Sequence, residues 1–383
     1  MTSADSDLFV CGGGVVGLSI AWLAAQRGWT VTLADARQIG RGASWAGAGI
    51  LPASPSTGNQ DPLEQLRALS HQLHPEWAKQ LKSLTGIDNG FQSCGGVSIA
   101  RSAGEFATLI AQQSWWDDYG VPFERFTPQE TTHRFPCLAD SSRPILGSWY
   151  IPTECQLRNP HHLKALRSAC ERSGRVRILE HCPVIDWQRS DRWIQAALTP
   201  QGAIQAKRYC VTAGAWSQRL LEPLGLHSGI LPIRGQMILY RFPTRRWIPI
   251  LNEGHRYLVP RADGHVLAGS CEEEVGFEET TTDTMLEQLR QWSQSLVKEL
   301  ADAEEVQSWA GLRPGSFDSH PYLGRLPDTD NGFIASGHFR HGLHLSPGTA
   351  QVMIDLMQEG KTSIDLESFR FTRGKAFTRP SPA

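Results

Sequence analysis

A glycine-rich turn near the start of the chain constrains its fold more than any other feature. Gly12, Gly14 and Gly17 form a G-x-G-x-x-G pattern between an apolar run at 8–10 and a segment without helix breakers at 18–25. The run predicts a buried strand and the segment predicts a helix. Such a turn lets backbone approach a diphosphate and points the N–H groups of the helix N-terminus at it. The pattern therefore predicts a dinucleotide-binding unit.

The residues that follow support the same interpretation. A second predicted strand at 30–33 leads to Asp35, where a carboxylate can accept hydrogen bonds from ribose hydroxyls. A loop rich in glycine, alanine and serine occupies 37–50, so its backbone can lie close to a ligand, and Arg41 within it can face a phosphate. A further strand that runs into a small-residue turn and a helix, at 209–217, offers another place for backbone to meet a cofactor.

Composition excludes several classes of protein. A chain of 383 residues can bury a large core and predicts two domains. The net charge of -2 and the even spread of Lys and Arg argue against a nucleic-acid surface. The eight cysteines form no C-x-x-C pair, which predicts reduced thiols, a cytoplasmic location and no zinc site. The apolar stretch 8–25 has the length of a short membrane span, but its three consecutive glycines favour strand, turn and helix, without stable membrane insertion.

Prolines mark several predicted helix boundaries. A helix that starts at Asp61-Pro62 is expected to end before Pro75, which opens a second helix. Asn159-Pro160 predicts an N-cap and a following helix. Ser346-Pro347 predicts the start of a last helix that ends at Gly360.

Two predicted strands lead into chemically interesting residues. A strand at 306–311 delivers Arg313, and a strand at 332–337 delivers the segment 338–342. The side chains of Arg313 and Arg340 are therefore expected at strand ends. His338, His341 and His344 recur at three-residue spacing, but no carboxylate or cysteine accompanies them, so no metal site is predicted. The acidic run 272–274 with Glu278 and Glu279 is expected to be a solvated loop, and the tail beyond Phe377 is expected to be disordered.

Six separated motifs share a characteristic order: Gly12–Gly17 with Asp35, Gly42-Ala43-Ser44 with 48–52, 212–217, 232–236, 311–314 and 337–342. With these motifs the chain resembles the D-amino-acid oxidase superfamily of FAD enzymes, and within it the glycine oxidases of thiamine biosynthesis. The resemblance implies an α/β fold with a Rossmann-like FAD-binding domain built from discontinuous segments (1–85, 145–222 and 306–372). It also implies an α+β substrate domain with a mainly antiparallel sheet (86–144 and 223–305), followed by a tail at 373–383.

The resemblance further implies non-covalent FAD. Asp35 would hold the AMP ribose, the glycine turn the pyrophosphate, and Val184 the adenine half through its backbone. Sarcosine-oxidase relatives attach FAD through a cysteine, and 315–317 here reads Gly-Ser-Phe. The implied cofactor residues are Gly12, Gly14, Val15, Val16, Gly17, Asp35, Ala36, Arg41, Gly42, Ala43, Ser44, Gly47, Ala48, Gly49, Ile50, Val184, Thr212, Ala213, Gly214, Trp216, His338, Arg340, His341, Gly342 and Leu343.

The implied substrate site contains Arg313, Arg340 and Tyr257. Arginine holds a carboxylate through two parallel hydrogen bonds, and arginines of these two motifs bind the substrate carboxylate in the family. Tyr257 would supplement this contact. Reduced flavin carries negative charge at its N1–C2=O edge, which a turn at Gly342 and the helix after it could face. Trp45-Ala46-Gly47 departs from the usual small-residue run and could reshape the pocket.

The expected activity is hydride transfer from a glycine-like amino acid to flavin, with oxygen as acceptor and hydrogen peroxide as product. The resemblance also favours a homo-oligomer. Three alternatives stay open: a D-amino-acid or sarcosine oxidase or dehydrogenase of the same fold, an NAD-dependent dehydrogenase, and a non-catalytic flavin-binding protein.

Overall fold

The computed structural model describes residues 6–55, 60–244 and 246–373. Within these ranges the strands are β1 (Ser6–Cys11), β2 (Val31–Ala34), β3 (Ile50–Leu51), β4 (Gln92–Ser93), β5 (Gly96–Ala100), β6 (Glu124–Phe126), β7 (Gly147–Ile151), β8 (Cys155–Gln156), β9 (Val176–Leu179), β10 (Asp186–Ser190), β11 (Trp193–Thr199), β12 (Gly202–Ile204), β13 (Ala206–Val211), β14 (Leu231–Arg241), β15 (Ile250–Glu253), β16 (Arg256–Pro260), β17 (His265–Gly269), β18 (Glu304–Gly315), β19 (Tyr322–Arg325) and β20 (Gly332–Ser336). The helices are α1 (Val15–Gln26), α2 (Ala43–Ala46), α3 (Pro62–Thr85), α4 (Ala103–Asp118), α5 (Pro128–Arg134), α6 (Asn159–Arg172), α7 (Ser217–Leu221), α8 (Asp283–Leu296) and α9 (Gly342–Glu359).

The first large sheet has the order β19-β20-β13-β1-β2-β9. Its pairs are parallel except for β19 with β20. The central strand β1 is apolar and almost wholly buried, as expected where helices cover both faces of a parallel sheet. The same core contains residues of α1, α3, α6 and α9. This sheet draws its strands from distant parts of the chain, which is the predicted discontinuous architecture.

The second large sheet has the order β18-β14-β17-β16-β15-β5-β7-β6. Every pair is antiparallel except β15 with β5. Ile238, Leu258 and Ala268 point from one face into a core shared with Leu289 and Leu296 of α8. The opposite face borders the cavity described below. Two three-stranded sheets, β10-β11-β12 and β3-β8-β4, complete the described architecture, and the proposed domain boundaries stay a prediction.

The predicted helix break at Pro75 is wrong. Helix α3 runs through this residue from Pro62 to Thr85, capped at its start by the side chain of Asp61. An internal proline removes one helical hydrogen bond and costs ~3 kcal/mol. Buried residues before and after it, including Leu66, Trp77 and Leu81, belong to one core, so packing outweighs that cost.

The predicted start of the last helix is also wrong. Helix α9 begins at Gly342 rather than after Ser346, and Pro347 lies inside it. Pro347 has no N–H for the Leu343 carbonyl, and the Ser346 hydroxyl donates to that oxygen instead, at 2.9 Å. The helix N-terminus therefore lies one turn closer to the 338–342 segment than predicted.

The eight cysteines are all free thiols. Burial raises the pKa of Cys137, Cys170 and Cys210 to about 12 and that of Cys271 to about 11. They are therefore protonated at neutral pH.

Two observations concern the ends of the chain and the membrane. Arg373, the first residue of the predicted tail, pairs with Asp318 at 2.8 Å, and 374–383 lie outside the described residues. Within the described ranges, the helices are too short or too polar to cross a bilayer.

Candidate active site

The glycine turn between β1 and α1 is packed too closely for side chains. Gly12 has φ +117, and a Cβ there would lie 2.6 Å from the backbone C and O of Thr212. A Cβ on Gly17 would lie 1.9 Å from the Gly12 carbonyl oxygen. The turn can therefore pass beneath β13 and against its own helix only because these residues are glycine.

Asp35 lies at the end of β2 with capacity for a further partner. One carboxylate oxygen accepts from the Gly13 N–H at 2.7 Å and the other from the Arg37 N–H at 2.8 Å. Burial raises the pKa of Asp35, and these two backbone donors oppose that shift. Since each carboxylate oxygen can accept more than one hydrogen bond, ribose hydroxyls could still bind.

A cavity of about 1360 Å³ begins at this turn and reaches the second large sheet. Its volume exceeds the ~300–1,000 Å³ typical of pockets for a single small ligand. Tyr257, Arg313 and all the predicted cofactor residues except Gly17 and Arg41 line it. Gly17 lies beneath the turn and serves its packing.

The structure does not bring Arg41 to the cavity. Its guanidinium donates to Gln38 at 3.2 Å and lies over the Trp45 ring. Arg37 lines the cavity instead, 4.3 Å from the centre of the Trp216 ring and paired with Glu279 at 2.6 Å. The sequence could not separate these two arginines, because both belong to the same polar loop.

The 43–49 segment is fixed by contacts from distant parts of the chain. Ser44 Oγ accepts from the Val15 N–H at 3.0 Å, which ties the segment to the first turn of α1. Trp309 donates to the Ala46 carbonyl at 3.0 Å, and its ring lies 5.4 Å from that of Trp45. The departure at Trp45 is thus matched by an aromatic partner on β18.

Two residues missed by sequence reasoning hold the same segment. Asn159 was predicted to be an N-cap, but Arg158 occupies that position, and the Asn159 amide donates to the Ser44 carbonyl at 2.7 Å. Arg261 donates to the Ala48 carbonyl at 2.6 Å, and its burial lowers its pKa to about 10. Both contacts join residues that are far apart in sequence, so no local pattern announced them.

Arg313 lies inside a strand, not at its end as predicted. Strand β18 continues to Gly315, and Arg313 pairs with Ile233 of β14 in the antiparallel ladder. Its guanidinium donates to the Ser270 hydroxyl at 2.6 Å and to the Cys271 carbonyl at 3.0 Å. A Cβ on Gly235 would lie 2.3 Å from this guanidinium, so the missing side chain makes room for it.

Arg340 is held on one side and open on the other. It lies in the short Phe339–His341 helical turn, where Nε donates to the Glu272 carboxylate and Nη1 faces the His255 carbonyl. Its buried Nη2 has no hydrogen-bond partner among the described residues. A buried donor without a partner is destabilising, and an incoming carboxylate would satisfy it.

The acidic run is only in part the solvated loop that was expected: Glu274 and Glu278 are exposed, but Glu272 and Glu273 form ion pairs. Glu272 binds Arg340, and Glu273 binds Arg234 at 3.0 Å and Gln236 at 2.9 Å. The Arg234 guanidinium holds the pKa of Glu273 down to about 2. For these two residues the expectation failed because charge runs are usually solvated, and their arginine partners lie 39 and 68 residues away along the chain.

Tyr257 lies on the face of the second sheet that borders the cavity. Its hydroxyl faces the sulfur of Met237 at 3.5 Å, and both residues line the cavity. A Cβ on Gly269, between them in the ladder, would lie 2.2 Å from that sulfur. The aromatic ring and the thioether therefore share the space above a glycine.

The histidines near α9 are buried and neutral. Burial lowers the pKa of His338 to about 3 and that of His341 to about 4. His338 also contacts the Thr349 hydroxyl at 3.1 Å. No cluster of metal ligands occurs in the described ranges. Neutral imidazoles and the N-terminus of α9 at Gly342 therefore border the same end of the cavity.

A glycine turn of the dinucleotide-binding pattern, a carboxylate that can accept further hydrogen bonds and a cavity that ends at two arginines are features of a nucleotide-dependent oxidoreductase. The glycine cradle and the open capacity of Asp35 fit FAD. Residues 7–356 match the family described as FAD dependent oxidoreductase, and the chain belongs to this family. Its α/β fold, its FAD cofactor and its oxidoreductase class, as predicted from sequence, are thereby confirmed.

Similar proteins span the whole fold. The chain is 33% identical over 358 residues to a glycine oxidase of Pseudomonas aeruginosa, covering 93% of this chain and 96% of that one. It is 32% identical over 372 residues to a glycine oxidase of Geobacillus kaustophilus, covering 96% and 97%. The crystal structure of glycine oxidase from Geobacillus kaustophilus superposes with a TM-score of 0.91 at 30% identity, covering 96% and 98%.

Proposed function

We propose that the protein oxidises glycine or another small amino acid, giving an imine that hydrolyses to the 2-oxo acid and ammonia, with hydrogen peroxide formed from oxygen. The single observation that carries the proposal is that Arg340, which lines the same cavity as Arg313, has a buried Nη2 without a hydrogen-bond partner among the described residues. Two guanidinium groups at one end of a cofactor cavity suit a carboxylate. The glycine oxidase relatives support the same substrate class.

Bound FAD supplies a two-electron acceptor for hydride. The side chains of Arg313 and Arg340 would fix the substrate carboxylate, and Tyr257 would limit the directions available to the rest of the molecule. With the carboxylate fixed, the Cα–H bond has few orientations left, so positioning supplies much of the rate. The N–H groups at the start of α9 offer fixed dipoles beside the cavity.

We propose that FAD is held without a covalent bond. The stretch after the arginine of β18 contains Gly315, Ser316 and Phe317, and none of these offers a thiol. The cradle described above consists of backbone and small side chains.

A second candidate is a larger amino acid or a secondary amine such as sarcosine. The cavity continues from Tyr257 toward α4, where Thr108, Gln112 and Trp115 line it. This extension leaves room for a substituent that glycine lacks.

We further propose a thiamine-biosynthesis context, a cytoplasmic location and a homo-oligomeric state. A bifunctional protein ThiO/ThiG of Synechocystis is 32% identical, and the chain covers 55% of its length. The free thiols suit a reducing compartment. The oligomeric state rests on the family resemblance.

The test is an anaerobic and aerobic substrate screen. Purified protein should be yellow and should release FAD on denaturation. Glycine, sarcosine, D-alanine and D-proline are then compared for flavin bleaching without oxygen and for peroxide formation with it. Bleaching by at least one of them is expected, and the absence of bleaching by all four contradicts the proposed function.

A further inference from the structure

Glu154 is a buried carboxylic acid that lines the cavity and does not contact either substrate arginine. It directly precedes β8, and only 7% of the residue is exposed. Its carboxyl group occupies the space above Gly96, where a Cβ would lie 2.4–2.6 Å from all three carboxyl atoms. The Asn252 amide donates to Oε1 at 3.1 Å. The absence of a side chain at Gly96 therefore provides the space that the Glu154 carboxyl group occupies.

The strand register places this acid close to the carboxylate end of the cavity. Ser98 pairs with Asn252, and Asn252 pairs with Tyr257, so the three side chains form a row across β5, β15 and β16. Directly opposed residues point to the same face of a sheet, and neighbouring strands lie about 4.8 Å apart. Glu154, seated above Gly96 of β5 and bonded to Asn252 of β15, therefore lies on the same face as Tyr257 of β16, about two strand spacings away across the sheet. The space between them can hold a small amino acid that hydrogen-bonds to groups on both sides.

Among the described residues, the Asn252 amide is the one side chain that bonds the Glu154 carboxyl group, and no arginine, lysine or histidine pairs with it. Its recorded neighbours are Cys94, whose thiol donates to the Glu154 carbonyl, the next residue Cys155, and Asn252. Burial raises the pKa of Glu154 to about 7, against a smaller opposing effect of the Asn252 hydrogen bond. A carboxylate in such a place favours an incoming cation, and it is close to half-protonated at neutral pH.

We propose that Glu154 binds the ammonium group of the substrate and accepts one of its protons. The inference rests on the proposed function. An amino acid in neutral solution carries an ammonium group, whereas hydride can leave Cα readily only when the nitrogen lone pair is free. One N–H bond breaks and one O–H bond forms on the Glu154 carboxylate. With FAD bound as the two-electron acceptor, the freed nitrogen lone pair would form the C=N bond as the Cα–H electron pair leaves. The Glu154 carboxyl proton would return to solvent after product release.

This arrangement places opposite charges on two sides of the substrate end of the cavity. Arg313 and Arg340 take the carboxylate, and Glu154 takes the ammonium group. A zwitterion is thereby recognised through both of its charges, whereas a simple carboxylic acid satisfies only one side.

The test uses Glu154→Gln in the FAD-loaded enzyme. Glutamine keeps the oxygen that accepts from Asn252 and loses the ability to take a proton. For the wild type, kcat/KM should rise with pH through about 7 as Glu154 ionises. At pH 7.5 the variant should lose about 100-fold in kcat/KM, within the range for general-base catalysis. The loss should shrink as pH approaches the pKa of the substrate amine, because more substrate then arrives neutral.

A binding measurement separates this role from a structural one. Glycolate has the carboxylate of glycine but no ammonium group, and its binding can be followed through the absorbance of the bound flavin. Glu154→Gln should leave the Kd for glycolate unchanged. It should raise the Kd for glycine, measured in the absence of oxygen. Glu124→Gln, an exposed change on β6 of the same sheet, serves as the matched control.

Two results would overturn the inference. The first is wild-type kcat/KM for Glu154→Gln at pH 7.5, or a loss that is equal at all pH values. The second is equal weakening of glycine and glycolate binding. If the wild-type flavin is bleached by none of the four amines, the proposed function itself fails, which is a distinguishable outcome.

Discussion

The two ends of the cavity are built in opposite ways. The dinucleotide end depends on side chains that are missing, since a Cβ at Gly12 or Gly17 would collide with backbone. The substrate end depends on long side chains held by distant partners, as Arg340 is by Glu272 and Arg313 by Ser270. Backbone cradles tolerate almost no change, whereas a network of side chains can lose one member and keep part of its function. The following predictions probe that difference, beginning with the largest effect.

The largest effect is expected for Gly12→Ala. The new Cβ meets the Thr212 backbone, which cannot move without shifting β13. We expect purified protein with little or no bound FAD, measured by the ratio of flavin to protein absorbance. Gly28→Ala is the matched control, because Gly28 also has a positive φ of +86 but nothing within 4 Å of its Cβ position. Equal flavin loss in both variants would mean that backbone strain, not the collision, is responsible.

Arg340→Ala comes next. Loss of a charged hydrogen-bond donor to a buried carboxylate costs about 2–5 kcal/mol, so KM for glycine should rise by a factor on the order of 30 to several thousand. Flavin content should stay close to that of the wild type. Arg241→Ala, which removes an arginine paired with Glu304 at the far end of β14, is the control. Unchanged KM in Arg340→Ala would remove this residue from the substrate site.

The buried histidines and the ion-paired Glu273 should also respond differently to acid. Burial lowers the pKa of His74 and His341 to about 4, so the unfolded chain takes up protons between about pH 6.5 and 4 that the folded chain does not. Their contribution to stability is present above pH 6.5 and is lost as pH falls toward 4. Glu273, with its pKa lowered to about 2, loses its contribution only below about pH 4.5.

Thermal unfolding with flavin fluorescence checks this order. The midpoint temperature of unfolding should decrease as the pH is lowered from 6.5 to 4.5, and FAD should be released at the same temperature. Glu273→Gln should lower the midpoint at pH 7 but leave that slope unchanged. A midpoint that is flat from pH 6.5 to 4.5 would show that the buried histidines do not control acid stability.

The smallest effect is expected for Glu272→Gln. The amide can still accept from Arg340 Nε, but the guanidinium loses its ionic partner, and partly exposed pairs contribute ~0.2–1 kcal/mol. KM for glycine should change by no more than about sixfold, with kcat retained. Glu274→Gln, two residues further along and exposed, is the control. A change as large as that of Arg340→Ala would show that Glu272 contacts the substrate itself.

The same difference explains what the sequence could predict. The cofactor end can be predicted from local sequence, because its strand, glycine turn and helix are adjacent in the chain. The family resemblance supplied the remaining motifs. The long-range supports were not visible. Asn159, Arg261 and Glu272 each form a hydrogen bond with a residue more than sixty positions away, and the residues next to them in sequence do not indicate that partner. The helix errors at Pro75 and Pro347 share one cause, since tertiary packing or a nearby hydroxyl can replace what proline removes.

The free cysteines acquire a further meaning if each turnover releases peroxide. Peroxide oxidises thiolates, and sulfenic acids and their further products follow from that first attack. Cys137, Cys170, Cys210 and Cys271 have their pKa raised to about 11 or 12, so almost none of their sulfur is reactive at neutral pH. Burial thereby makes these four thiols poor targets for the peroxide that the enzyme itself would release.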